Sequence, residues 1–148
     1  MRIRCFKAHC GWDPISVIPA DQVPNDRQAA VARALGSEPF YAGLEIVFVR
    51  LLRDQGRLAL DLRVFDCTMD DWTQMCGGAT QVVGHLWFKG LLSEPLGLTG
   101  HPPHKETALR FGDIDISVLP ESHDTEVVRT DMTGWLHRVY RRPLKAIK

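Results

Sequence analysis

Neither charge is in excess in this chain: 18 lysines and arginines stand against 18 aspartates and glutamates among 148 residues. Without a one-signed field, neither a nucleic-acid backbone nor a membrane surface is an expected partner. The four cysteines (Cys5, Cys10, Cys67 and Cys76) form no CxxC pair, so they do not make a metal pattern and no metal is expected. The opening Met-Arg-Ile-Arg-Cys-Phe lacks the apolar stretch of a signal peptide. Nor is any apolar run long enough to cross a bilayer. Reduced thiols and a cytoplasmic location are the resulting expectation. There is no internal repeat, low-complexity tract or linker, and the length suits a single domain over residues 1–148. Basic residues gather only near the end, at Arg138, Arg141, Arg142, Lys145 and Lys148, a pattern read as a solvated tail.

Hydrophobic residues at 45% and charged residues at 24% are ordinary for a globular protein. Ile3, Cys5 and Lys7 alternate with Arg4 and Phe6, predicting a strand, and Ile15 to Ile18 continue the sheet signal after a Gly-Trp-Asp-Pro turn. Asn25 followed by Gln28 makes a capping-box pattern ahead of an Ala-rich helix that Gly36 closes. Residues 45–52 and 58–65 flank Asp54-Gln55-Gly56 and predict a hairpin, with alternation at Leu58, Leu60, Leu62 and Val64. Polar residues run from Asp66 to Met75. Beyond Gly77 and Gly78, the positions Ala79, Val82, Val83, Leu86 and Trp87 recur at helical spacing up to Gly90. Gly84 and Phe88 widen that face, so the helix is expected to be enclosed on most sides. Strands are predicted over residues 107–111, 114–119 and 126–131. The sum is an α+β fold, mostly antiparallel sheet with one early and one central helix.

Met75-Cys76-Gly77-Gly78-Ala79-Thr80 resembles the Met-Cys-Gly-Asn-Gly or Met-Cys-Gly-His-Gly segment of diaminopimelate epimerases and proline racemases. His9-Cys10-Gly11-Trp12-Asp13 resembles that family's His-Gly-x-Gly-Asn-Asp start. Leu62 to Asp66 resembles its Phe-Asn strand, and Val127 to Met132 its Val-x-Val-Asp-Met strand. Glu45-Ile-Val-Phe-Val also resembles the Glu-Thr-Val-Phe-Val strand of the phenazine-biosynthesis isomerases, which share the fold and use that glutamate for proton transfer. The likeness runs over about nine-tenths of the chain but about half of a family member. It implies one lobe, a curved sheet wrapped around a central helix, where the full proteins set two lobes across a cleft. Several family asparagines are replaced, by Trp12, Gly78 and Asp66. In the family they hold the substrate's amino-acid end, so an unmodified diaminopimelate or proline is not the expected substrate.

Proton removal beside a carboxylate or carbonyl needs a base on one face and a donor on the other. A cysteine at a helix N-terminus suits the base role, because unpaired N–H groups and the helix dipole lower a thiol's pKa. The N–H groups of Gly77, Gly78 and Ala79 could hold a substrate carboxylate or a developing enolate. Glu45 reads either as the second acid/base group or as a solvent-facing residue at a strand start. Asp13 and Asp66 read as holders of a basic substrate group or as turn caps. Trp12 and Trp72 could form a flat wall beside the mouth or be ordinary half-buried aromatics. Gln81 and His85 lie four apart on the helix, and His101 and His104 flank two prolines without making a metal site.

The resemblance implies a cofactor-independent isomerase that shifts a proton on an amino-acid-derived or carboxylate-bearing small molecule, in a specialised biosynthetic pathway. A second copy would supply the missing lobe, making a homodimer. A cyclase using the same acid/base pair, or a catalytically silent ligand-binding or partner subunit, are the other readings.

Overall fold

Period-2 hydrophobicity decides the architecture. A computed structural model describes residues 2–38, 43–121 and 124–132. Its long central strands, β3 (Glu45–Asp54) and β4 (Arg57–Asp66), pair antiparallel from Glu45↔Asp66 to Asp54↔Arg57. Gln55 and Gly56 turn the hairpin with positive φ at both positions, 47° and 77°, as a two-residue turn of type I′ requires. Val47, Val49, Leu60, Leu62 and Val64 point to one side of the hairpin and join one core, whereas Ile46, Phe48 and Phe65 join another. The sheet is therefore apolar on both faces.

Around this hairpin the strands run β1 (Phe6–Cys10), β2 (Asp13–Pro19), β3, β4, β6 (Thr107–Phe111), β7 (Ile114–Glu121) and β8 (Asp124–Asp131), with the short β5 (Asp71–Thr73) also on β4. Pairings β2–β3 and β4–β6 are parallel and the other five are antiparallel. The first and last strands both reach the helix α2 (Gly77–Phe88), so the sheet curls around it as a half-barrel. This is the expected architecture.

Cys76 starts α2 from an extended conformation, its sulfur accepting the Ala79 N–H at 3.2 Å. Gly90, at φ 74°, follows its end. Ala79, Val82, Val83, Leu86, Trp87 and Phe88 are buried against the concave face. Each large side chain so buried contributes roughly 1.5–3 kcal/mol. The convex face is covered in part by α1 (Gln28–Ser37), through Ala29, Val31, Ala32 and Leu35.

Several local expectations are corrected. The opening strand begins at Phe6; Ile3 and Cys5 instead pack against the convex cluster. Pro24 leads a single 3-10 turn over Asn25–Arg27, so α1 starts at Gln28 and Asn25 is not its cap. The Asn25 Oδ1 accepts the Gln28 amide at 3.2 Å instead. Gly36 lies inside the last turn of α1 rather than ending it. Its absent side chain makes room for Cys67, whose sulfur would sit 2.6 Å from a Cβ there. The strand β5 lies within the stretch that reads as polar loop, and β8 starts at Asp124, two residues early. The basic tail from Arg138 lies outside the described residues. All four cysteines are free thiols, and among the described residues no helix is long and apolar enough to cross a membrane.

Candidate functional site

Side chains alternate along a strand, so the apolar rows of the concave face dictate what stands at their ends. Asp13 precedes Ile15 and Val17 by two and four residues, Glu45 precedes Val47 and Val49 in the same way, and Asp66 follows Val64 and Leu62. The parity of all three carboxylates is concave. Glu45 and Asp66 are directly opposed across β3 and β4, and Ile15 of β2 is opposite Glu45 on its other side. The mouth of the half-barrel is thus acidic, and the N-terminus of α2 opens into it.

There Cys76 and Glu45 meet. The Cys76 S–H donates to Glu45 Oε2 at 2.6 Å, while the Ala79 N–H donates to the sulfur. Thr80 Oγ1 donates to the Cys76 carbonyl at 2.7 Å and fixes the cap from below. Burial and then the hydrogen bond to Glu45 push the Cys76 thiol up to about 12, against the opposing pull of the Ala79 and Gly78 N–H groups. The expected direction is therefore reversed. A helix start does favour thiolate, but a half-buried sulfur facing a carboxylate is worth more in the opposite sense. At neutral pH the sulfur holds a proton, and Glu45 accepts its hydrogen bond.

Of the three N–H groups expected to face a ligand, that of Ala79 is engaged by the sulfur. Beside Gly77 a Cβ would meet open space, so the approach is unobstructed on that side. Beside Gly78 it would lie 3.1 Å from Ile15 Cδ1 and 3.4 Å from Cys10 Cβ. Ile15, with Cys10 beside it, therefore crowds the place of a side chain at 78, and the Cys10 thiol donates to Gln81 Oε1 at 3.5 Å.

Asp66 has local work. Its Oδ1 accepts from the Thr68 N–H, the Thr68 hydroxyl and the Met69 N–H at 2.8, 2.6 and 3.1 Å. The Thr68 hydroxyl bond in particular holds the carboxyl below its ordinary range. Asp13 begins β2 with an exposed side chain, and Trp12 stands on the β1–β2 turn, 96% exposed. Trp72 belongs to the convex layer, edge-on to Phe65 at 5.3 Å and 6.0 Å from Phe48. It does not form a mouth wall with Trp12. Cys67 likewise serves the convex layer, packed against Gly36 with its thiol 3.8 Å from the Ala32 carbonyl.

A cavity of about 330 Å³, bounded by Asp66, Met69, Asp71, Thr73, Gln74 and Met75 with Trp72 at its edge, has no counterpart among the expectations. It connects Glu45's cross-strand partner with the residue before Cys76. No sequence period marks it, because β5 is only three residues long. His101 lies against Gly90, and His104 packs edge-on to Phe88 at 6.3 Å. Among the described residues no group of three or more His, Cys, Asp or Glu could hold a metal ion.

No protein-family model matches the chain, and no curated protein does. Solved structures do. A phenazine biosynthesis protein of the PhzF family from Bacillus anthracis superposes with a TM-score of 0.55 at 13% identity, covering 86% of this chain and 38% of that one. A predicted epimerase from Pseudomonas aeruginosa gives 0.50 at 15% identity, covering 82% and 40%. The chain thus spans about two-fifths of the length of these neighbours, and it has the fold of one lobe of the diaminopimelate-epimerase and phenazine-biosynthesis type.

Proposed function

We propose that this lobe is a cofactor-independent isomerase that moves a proton on a small carboxylate-bearing molecule, with Cys76 and Glu45 as its acid/base pair. The observation that carries the reading is the 2.6 Å contact between the Cys76 sulfur and Glu45 Oε2 at the start of α2. Glu45, as carboxylate, takes a carbon-bound proton adjacent to a carboxylate or carbonyl. Cys76 gives its own proton to the second carbon, and the thiolate so formed is held by the Gly78 and Ala79 N–H groups. Proton transfer from Glu45 back to sulfur along the existing hydrogen bond closes the cycle without a cofactor. Asp13 and Asp66 make the mouth suited to a substrate that also carries an ammonium group. The neighbours' names, a phenazine biosynthesis protein and a predicted epimerase, agree with this class of chemistry.

One lobe presents both groups to one face of a substrate. Inversion at a single carbon needs a donor on the opposite face, and a second copy of the chain is the proposed source. Trp12, Leu44 and Met69, three of the exposed large apolar side chains, ring the mouth on the turns beside Asp13, Glu45 and Asp66. Sedimentation should give a dimer that Trp12→Ser with Met69→Ser shifts to monomer; a monomer that retains full activity rejects the dimer. The reaction itself is tested by deuterium incorporation from solvent into a panel of amino acids and keto acids. Exchange should drop at least about a hundredfold in Cys76→Ala and in Glu45→Gln. Exchange equal in wild type and both variants rejects the relay. The raised thiol pKa favours a second reading, a ligand-binding lobe without turnover; saturable ligand binding with no exchange would establish it.

A further inference from the structure

The convex face carries a polar constellation that the proton-transfer reading does not use. Arg50 lies five residues along β3 from Glu45, about 16 Å at the rise of a strand, and on the opposite face. Phe48, Arg50, Asp61 and Arg63, with Ala20, Asn25 and Gln28, line a cavity of about 250 Å³. Arg50 and Asp61 are directly opposed in the β3–β4 ladder, and Arg63 stands opposite Phe48.

Two of these side chains are fixed by their neighbours. Gln28 is fully buried, its amide donating to the Val23 carbonyl and to Asn25 Oδ1, both at 3.2 Å. Its Oε1 accepts from Arg63 Nη1 at 2.9 Å, and the Arg63 guanidinium lies 4.1 Å from the centre of the Trp72 ring. Arg63 is therefore held by an amide on one side and an aromatic face on another, with further N–H donors remaining. Arg50 turns to Asn25 Oδ1 at 3.4 Å rather than to the aspartate across from it. Among the described residues neither arginine forms an ion pair, and neither does Asp61.

Directly opposed Arg and Asp side chains stabilise a sheet when they close on each other. Here two cations and one anion stand apart around a single cavity, and neutral amides hold the cations. A molecule with both charges would complete the set. Its carboxylate would take the guanidinium forks, its ammonium would take Asp61, and Phe48 with Ala20 would offer an apolar floor. We propose that the convex-face cavity between Arg50, Asp61 and Arg63 binds a small zwitterion of the α-amino-acid class.

Matched probes test this on the whole chain: L-norvaline, valerate, which lacks the amine, and butylamine, which lacks the carboxylate. The reporter is the Trp72 indole N–H resonance, assigned with Trp72→Phe. L-norvaline should shift it saturably, and each single-charge probe should bind at least about tenfold more weakly, since each loses a charge-assisted hydrogen bond. Arg50→Gln and Asp61→Asn should each weaken L-norvaline by a similar factor with unchanged circular dichroism, whereas Glu45→Gln should leave it unaffected. Absence of a saturable shift, or valerate binding as well as L-norvaline with Asp61→Asn neutral, overturns the proposal. So does binding lost in Glu45→Gln but retained in Arg50→Gln, which would place the ligand at the mouth.

Discussion

The two faces of one sheet are used differently. On the concave face apolar rows run unbroken from Val49 to Val47 and from Leu60 to Val64, and polar chemistry begins where the rows end, at Glu45 and Asp66. On the convex face α1 covers only part of the sheet, and charged side chains stand mid-strand, at Arg50, Asp61 and Arg63. The difference follows from enclosure. Where strands pack against α2 no water reaches a polar group, so polar side chains stand at the open end and along the Gln81 and His85 edge, which lines a cavity of about 560 Å³. A helix laid across one side of a sheet leaves a wet margin in which charges persist.

The sharpest way to break the contrast is to damage the enclosed side. Trp87 is fully buried, and its indole N–H donates to Thr107 Oγ1 at 3.1 Å. Trp87→Ala should cost about 3–5 kcal/mol in urea unfolding, enough to threaten a marginally stable lobe. The convex counterpart is Gly36→Ala, which drives a Cβ against the Cys67 sulfur and Cys67 Cβ. Overpacking costs about 1–3 kcal/mol and the gain in helix propensity offsets about 1, so a net loss near 1 kcal/mol is expected. Adding Cys67→Ala should recover part of it. Equal losses at the two sites would mean that both layers are enclosed alike.

The thiols sharpen the comparison further. Cys67 and Cys76 are both raised, chiefly by burial. Only Cys76 also donates to a carboxylate, so Glu45→Gln should bring its pKa down from about 12 towards the ordinary value near 9 and leave the burial contribution in place. Iodoacetamide reaction rate against pH reads the shift directly. The linkage has a definite sign. Cys76 is harder to ionise folded than unfolded, so its stabilising contribution is complete below about pH 9 and is lost as the pH rises through about 12. The stability difference between wild type and Cys76→Ala should therefore narrow over that window, and by less in a Glu45→Gln background. A difference that is flat across it would place the thiol in an ordinary environment.

What the residues announced in advance depended on period. The β3–β4 hairpin and α2 were legible because ten or more residues repeat one pattern, and Gln55-Gly56 and Gly90 mark their limits. The helix-start cysteine was legible for the same reason. Its titration was not, because the deciding group, Glu45, is 31 residues away in sequence and only ladder register delivers it. Trp72 reads as a loop aromatic since the three residues of β5 are too few to define a face. Asn25 and Gln28 have the right spacing for a cap, but Pro24 starts a tighter turn, and the two side chains bond each other.

The smallest expected effect separates the two kinds of carboxylate at the mouth. Glu45 accepts from the thiol, whereas one oxygen of Asp66 satisfies the turn at Thr68 and Met69. An asparagine keeps such an acceptor, since its amide oxygen can take the same N–H and hydroxyl donors. Asp66→Asn should then change stability at neutral pH by less than about 0.5 kcal/mol, because what it removes is charge at a solvent-screened site. It should also remove one acid-sensitive contribution: the wild-type turn favours the ionised form, and that advantage is lost as the pH falls through the lowered carboxyl pKa. Urea midpoints for the two proteins should agree at pH 7 and move together less closely below pH 4. If Asp66→Asn instead leaves both midpoints alone but abolishes binding of an ammonium-bearing substrate, the charge serves the ligand and the turn is incidental.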